Sequence, residues 1–100
     1  MTINIKNEDS IYTVALEGRL DTVTSPDLQR ELEPLLPDAK KVILDLTALE
    51  YISSAGLRVV LSTYQTLDDM GRELIIRHPS ETVLKVFRLT QLEEILTIEA

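Results

Sequence analysis

The residues best placed to do chemistry are Tyr51-Ile52-Ser53-Ser54-Ala55-Gly56-Leu57. Their small, hydroxyl-bearing side chains stand between an apolar strand and an amphipathic helix, where unpaired backbone N–H groups and the helix dipole meet. The plain reading is a helix N-cap followed by a close-packing glycine. A sharper one is a nucleophile elbow, since Ser54-x-Gly56 supplies half of G-x-S-x-G. Ile52 stands where the first glycine belongs, so the elbow fails. The single histidine, His78, lies beside Pro79 at the end of another strand and reads as a loop residue, not a general base. What is left is modification of the serine itself. An anion on a hydroxyl at a helix start is tolerated, because dipole and free N–H groups favour negative charge.

Other chemistries fall away on composition. There is no cysteine, which removes disulfides, thiolate metal sites and thiol nucleophiles, and fits a reducing compartment. Gly18, Gly56 and Gly71 are far apart, so no loop cradles a phosphate and no nucleotide cofactor is expected. The acidic pairs Glu8-Asp9, Asp68-Asp69 and Glu93-Glu94 are adjacent residues that diverge, so they read as solvated charge rather than as metal ligands. Ten Lys+Arg against seventeen Asp+Glu leave a net charge of −7, which repels nucleic-acid backbones. Met1-Thr2-Ile3-Asn4 lacks the features of a signal peptide, and no apolar run approaches the length of a membrane span. The expectation is one acidic, soluble, cytoplasmic domain over residues 1–100 that is not an enzyme.

The elements that must hold the serines follow from periodicity. Ile3 and Ile5 alternate with polar residues, Asn7-Glu8-Asp9-Ser10 reads as a turn, and Ile11 to Leu16 runs on to Gly18, which predicts a hairpin. Ser25 as N-cap and Pro26 at the first helical position open a helix carrying Leu28 and Leu32, expected to end near Glu33 because Pro34 follows. Val42-Ile43-Leu44 and Leu74-Ile75-Ile76 read as short strands buried on both faces. Between them a helix starts at Ser53 or Ser54, carries Leu57, Val60, Leu61, Tyr64 and Leu67, and stops at Gly71. Ser80 caps a third helix with Val83, Val86 and Phe87, and Ile95 to Ile98 suggest a last strand. The fold class is α/β: a mixed sheet of about five strands, an antiparallel hairpin followed by parallel crossover units, covered by three or more helices.

Three segments in order carry a family resemblance. Asp45-Leu46-Thr47-Ala48-Leu49-Glu50-Tyr51-Ile52-Ser53-Ser54-Ala55-Gly56-Leu57 resembles the signature of the STAS domain, named for sulfate transporters and anti-sigma factor antagonists. Leu16-Glu17-Gly18-Arg19-Leu20-Asp21 is similar to the family's Leu-x-Gly-x-Leu-Asp segment, and Gly71-Arg72-Glu73-Leu74 continues the match. The resemblance implies an anti-sigma factor antagonist that binds an anti-sigma factor with serine-kinase activity. Phosphorylation releases it, and a serine phosphatase resets it. It implies Ser54 as the phosphoacceptor, and a partner-binding face of Asp21, Thr22, Ser53, Ser54, Ala55, Gly56 and Arg58. Ser53 stands where the motif has aspartate, and Ala55 where it has a second hydroxyl residue. These departures suit an alternative, an unphosphorylated scaffold in another regulatory, secretion or transport complex.

Overall fold

A computed structural model describes residues 1–99. Strands β1 (Thr2–Glu8), β2 (Ile11–Leu20), β3 (Lys41–Ile52), β4 (Glu73–Arg77) and β5 (Thr97–Glu99) form one sheet in the order of the chain. The first pair is antiparallel and all later pairs are parallel. Helices α1 (Ser25–Leu32), α2 (Ser54–Asp69) and α3 (Glu81–Leu89) make the crossovers, and a short 3-10 turn, Leu92–Glu94, precedes β5. This is the expected mixed α/β sheet.

The helices share one face of it. Val14, Leu16, Val42, Leu44, Leu46, Leu74 and Ile76 form a single buried cluster with Leu28 and Leu32 of α1, Val59, Val60 and Leu67 of α2, and Val83 and Phe87 of α3. Successive crossovers of one hand, each stepping one strand in the same direction, place every helix on the same side. Ile43 and Ile75, partners in register, lie outside this cluster although both are buried.

Several boundaries differ from the sequence expectation. The hairpin turn is Asp9-Ser10 alone, both at positive φ (54° and 68°), because a two-residue loop of this kind matches the twist of the flanking strands. Strand β2 continues past Gly18, whose φ of 107° accompanies a register shift against β3. β3 is the largest departure. The expected three-residue strand is one of 12 residues, running to Ile52. Its second half lies beyond the expected strand, yet it pairs with β2 through two irregularities as far as Leu20↔Ile52.

The first helix begins at Ser25 with Thr24 as its N-cap, one residue before the expected cap, since Ser25 turns inward and its hydroxyl donates to the Asp21 carbonyl at 2.5 Å. β5 begins at Thr97, two residues later than expected, because Ile95 is still helical in φ and ψ. The stop after α2 is as read. Arg72 N–H donates to the Leu67 carbonyl and Gly71 N–H to that of Asp68, with Gly71 at φ 69°, the pattern of a Schellman motif.

Candidate functional site: one edge of the sheet

Strands β2 and β3 end together. Leu20 and Ile52 are register partners, and the Ser53 amide donates to the Leu20 carbonyl at 2.8 Å. The β2–α1 turn and the start of α2 are thereby fixed side by side, as expected where loops follow parallel strand ends.

The β2–α1 turn is internally tied. Oδ1 of Asp21 accepts from the amides of Val23 and Thr24, both at 3.0 Å, and from the Thr24 hydroxyl at 3.1 Å. The Asp21 amide in turn donates to Thr24 Oγ1 at 2.9 Å. The Thr24 amide is the chief cause holding the Asp21 carboxyl below its ordinary value. Partial desolvation opposes it, and the Thr24 hydroxyl, the Val23 amide and the Arg19 charge add to it. Asp21 is thus a turn-former first, with Oδ2 accepting nothing from the described residues.

At the other loop the two serines divide the work. Ser53 is extended (φ −95°, ψ 175°) and is the N-cap of α2: its hydroxyl accepts from the Gly56 amide at 3.3 Å. Serine and aspartate are near-equivalent caps, so Ser53 preserves the helix start that an aspartate would make. Ser54 is the first helical residue, exposed, and its hydroxyl has no hydrogen-bond partner among the described residues. The ambiguity over the helix start resolves in favour of Ser54.

Gly56, grouped in sequence with the expected partner-binding face, is buried. A Cβ on it would lie 2.8 Å from Leu20 Cγ and 2.9 Å from Ile52 Cγ1, so its role is to let α2 settle onto the strand ends. Thr22, Ala55 and Arg58 line one open groove of about 500 Å³ with Pro26 and Gln29 between α1 and α2. Asp21, Thr22, Ser53, Ser54, Ala55 and Arg58 therefore gather at this edge. His78 does not: it follows Arg77, whose register partner Asp45 lies eight residues before Ser53 along the chain.

Two features escaped sequence reasoning. Val23, in the tied turn, is 80% exposed, the most exposed large apolar side chain among the described residues. A lone apolar residue between Thr22 and Thr24 was its only signal. The Arg19 guanidinium lies over the Tyr51 ring, 4.3 Å from the centroid, and only the true length of β3 makes those two residues partners. Among the described residues no group of three acidic or imidazole side chains could hold a metal, and no helix is long and apolar enough to cross a membrane.

Comparison with known proteins agrees with this fold. An anti-sigma-B factor antagonist of Staphylococcus aureus is 29% identical over 101 residues, an alignment covering 98% of this chain and 94% of the relative. The anti-sigma factor antagonist SpoIIAA in its unphosphorylated form superposes with a TM-score of 0.86 at 20% identity, covering 99% of this chain and 89% of the other. The Bacillus cell fate determinant SpoIIAA in its phosphorylated form gives a TM-score of 0.80 at 19% identity over 99% and 92% of the two chains. The STAS domain model matches residues 2–100, and the chain belongs to the STAS domain family.

Proposed function

We propose that the protein is an anti-sigma factor antagonist working by partner switching in the cytoplasm. Its unmodified sheet edge binds an anti-sigma factor with serine-kinase activity, and phosphorylation of Ser54 ends the complex. The observation that carries this reading is the exposed, unengaged hydroxyl of Ser54, held beside the Asp21 turn by the Leu20–Ser53 hydrogen bond. The similarity to an anti-sigma-B factor antagonist along nearly the whole of both chains supports it.

In the transfer step Ser54 Oγ attacks the γ-phosphorus of a nucleoside triphosphate held by the kinase. The new O–P bond replaces the bond to the bridging oxygen, the diphosphate leaves, and the hydroxyl proton passes to a base of the kinase. A serine phosphatase reverses the state by delivering water to the same phosphorus. The phosphate brings about −1.5 to −2 charges to the contact surface. Burying that charge without paired cations costs several kcal/mol, enough to change affinity about a thousandfold.

The test is reconstitution. Each anti-sigma serine kinase encoded in the source genome is purified and titrated against the chain, with and without ATP. Binding that is lost as one phosphate appears on Ser54 supports the switch. Binding with no phosphate transfer would favour the scaffold instead.

A further inference from the structure

Arg58 is the one residue of this edge whose charge has no evident use in the fold. The ion pairs among the described residues are Arg30–Asp27, Lys41–Glu73, Arg77–Glu99 and Arg88–Glu93, and Arg58 is in none of them. Its helical neighbours are Ser54 and Ala55 on one side and Leu61 and Ser62 on the other, with no carboxylate. The residues lining the adjoining groove are uncharged apart from Arg58 itself. The other cation of the edge, Arg19, is already seated on Tyr51. Ser54 and Arg58 are both exposed, four residues apart in one continuous helix, a spacing that brings Cβ atoms within about 5–6 Å.

Resting on the reading of Ser54 as the phosphoacceptor, we propose that Arg58 is the internal counter-ion of the phosphorylated protein. The planar guanidinium folds back one turn and takes two phosphate oxygens in a charge-assisted pair. Phosphorylation then acts on the partner twice. It adds negative charge, and it occupies the free cation that the unmodified edge offers to an acidic group of the kinase. A helix carrying glutamine at this position would keep the first effect and lose the second.

The experiment uses the whole chain with phosphoserine installed at position 54 by genetic encoding, so no kinase is needed. Phosphorus NMR follows the second ionisation of the phosphate, which lies near pH 6 in the absence of neighbours. The charged groups on the adjoining elements, Asp21 and Arg19 on the β2–α1 side and Glu50 in β3, are common to all variants. In the parent the midpoint is expected to lie about half a unit below that of Arg58→Gln, because a nearby cation favours the dianion. Arg58→Lys should recover most of the difference, and about 1 M salt should abolish it. Unphosphorylated Arg58→Gln should melt with the parent. Equal midpoints for parent and Arg58→Gln at low salt would overturn the proposal, as would a shift that survives high salt. Failure of every kinase to modify Ser54 would instead sink the switch reading while this titration still reports on the pair.

Discussion

The Ser53 amide donates to the Leu20 carbonyl at 2.8 Å, one hydrogen bond past the last register pair of β2 and β3. It carries the sheet ladder into the loops and ties the Asp21 turn to the start of α2. A partner that docks there meets a surface already in place, and little ordering entropy is lost on binding.

The division of labour between the two serines is the first thing to measure. Ser53→Ala removes the N-cap and should cost about 1 kcal/mol, whereas Ser53→Asp should restore the parent's stability. Ser54→Ala, one residue inside the helix, should change stability by less than about 0.5 kcal/mol. Denaturant midpoints of the three variants decide it; an equal loss for both alanines would misplace the cap.

At Ser54 itself stability and binding should move in opposite directions. An aspartate in the first helical turn gains about 0.3–1 kcal/mol from the dipole. The same charge occupies part of the place of the phosphate, so Ser54→Asp should be at least as stable as the parent yet bind the kinase poorly. Ser54→Asn, neutral and not phosphorylatable, should bind like the parent. Equal affinities for the two variants would remove the switch.

How much of this was legible in the sequence depends on the kind of signal. Capping residues announced themselves: Ser80 and the Ser53-Ser54 pair mark helix starts, and Gly71 marks a stop, because each solves a local backbone problem. The second half of β3 did not: Leu44 to Thr47 alternates, but the phase slips at Ala48-Leu49, so the pattern no longer reads as one strand. Its pairing is imposed by β2 across two irregularities, a non-local cause that no window along the chain contains. The Arg19–Tyr51 stack was hidden for the same reason. The resemblance grouped buried Gly56 with exposed Ser54, because a motif records which residues occur together and not which face they present.

Gly56→Ala tests that burial. Alanine gains about 1 kcal/mol of helix propensity over glycine. Its Cβ would however press to within 2.8–2.9 Å of Leu20 and Ile52. Overpacking of a filled site costs about 1–3 kcal/mol, so the net effect should be destabilising despite the propensity. A more stable variant would show that α2 can lift off the strand ends without loss.

Asp21 carries a pH signature. Its carboxyl titrates below the ordinary 3.8, with the Thr24 amide as leading cause. A folded-state value depressed below the unfolded one gives stability that is complete above the unfolded value and lost as pH falls through the folded one. Asp21→Asn keeps an oxygen for the Val23 and Thr24 amides but has no charge to lose. The parent should therefore exceed it in stability at pH 7, and the gap should close as pH falls from the ordinary carboxylate range through the lower folded-state value, as followed by urea unfolding. A gap that does not change with pH would assign the effect to shape and not to ionisation.

Val23 offers the sharpest test of where the partner sits. The turn holds its amide on Asp21 and leaves the side chain 80% exposed, an arrangement that costs hydration and contributes nothing to the core. An apolar side chain presented on a rigid turn is suited to a pocket, and full burial of a valine is worth about 1.5–3 kcal/mol. Val23→Ser should leave stability within about 0.5 kcal/mol and weaken kinase binding by roughly ten- to a hundredfold. Leu89 is the control. It is 76% exposed but sits at the far end of α3, which runs back toward the opposite edge of the sheet. Leu89→Ser should bind as the parent does. A matching loss at both positions would mean that the partner responds to exposed apolar surface in general. An undiminished affinity for Val23→Ser would move the contact away from the β2–α1 turn, and with it the premise that the Leu20–Ser53 hydrogen bond assembles the docking edge.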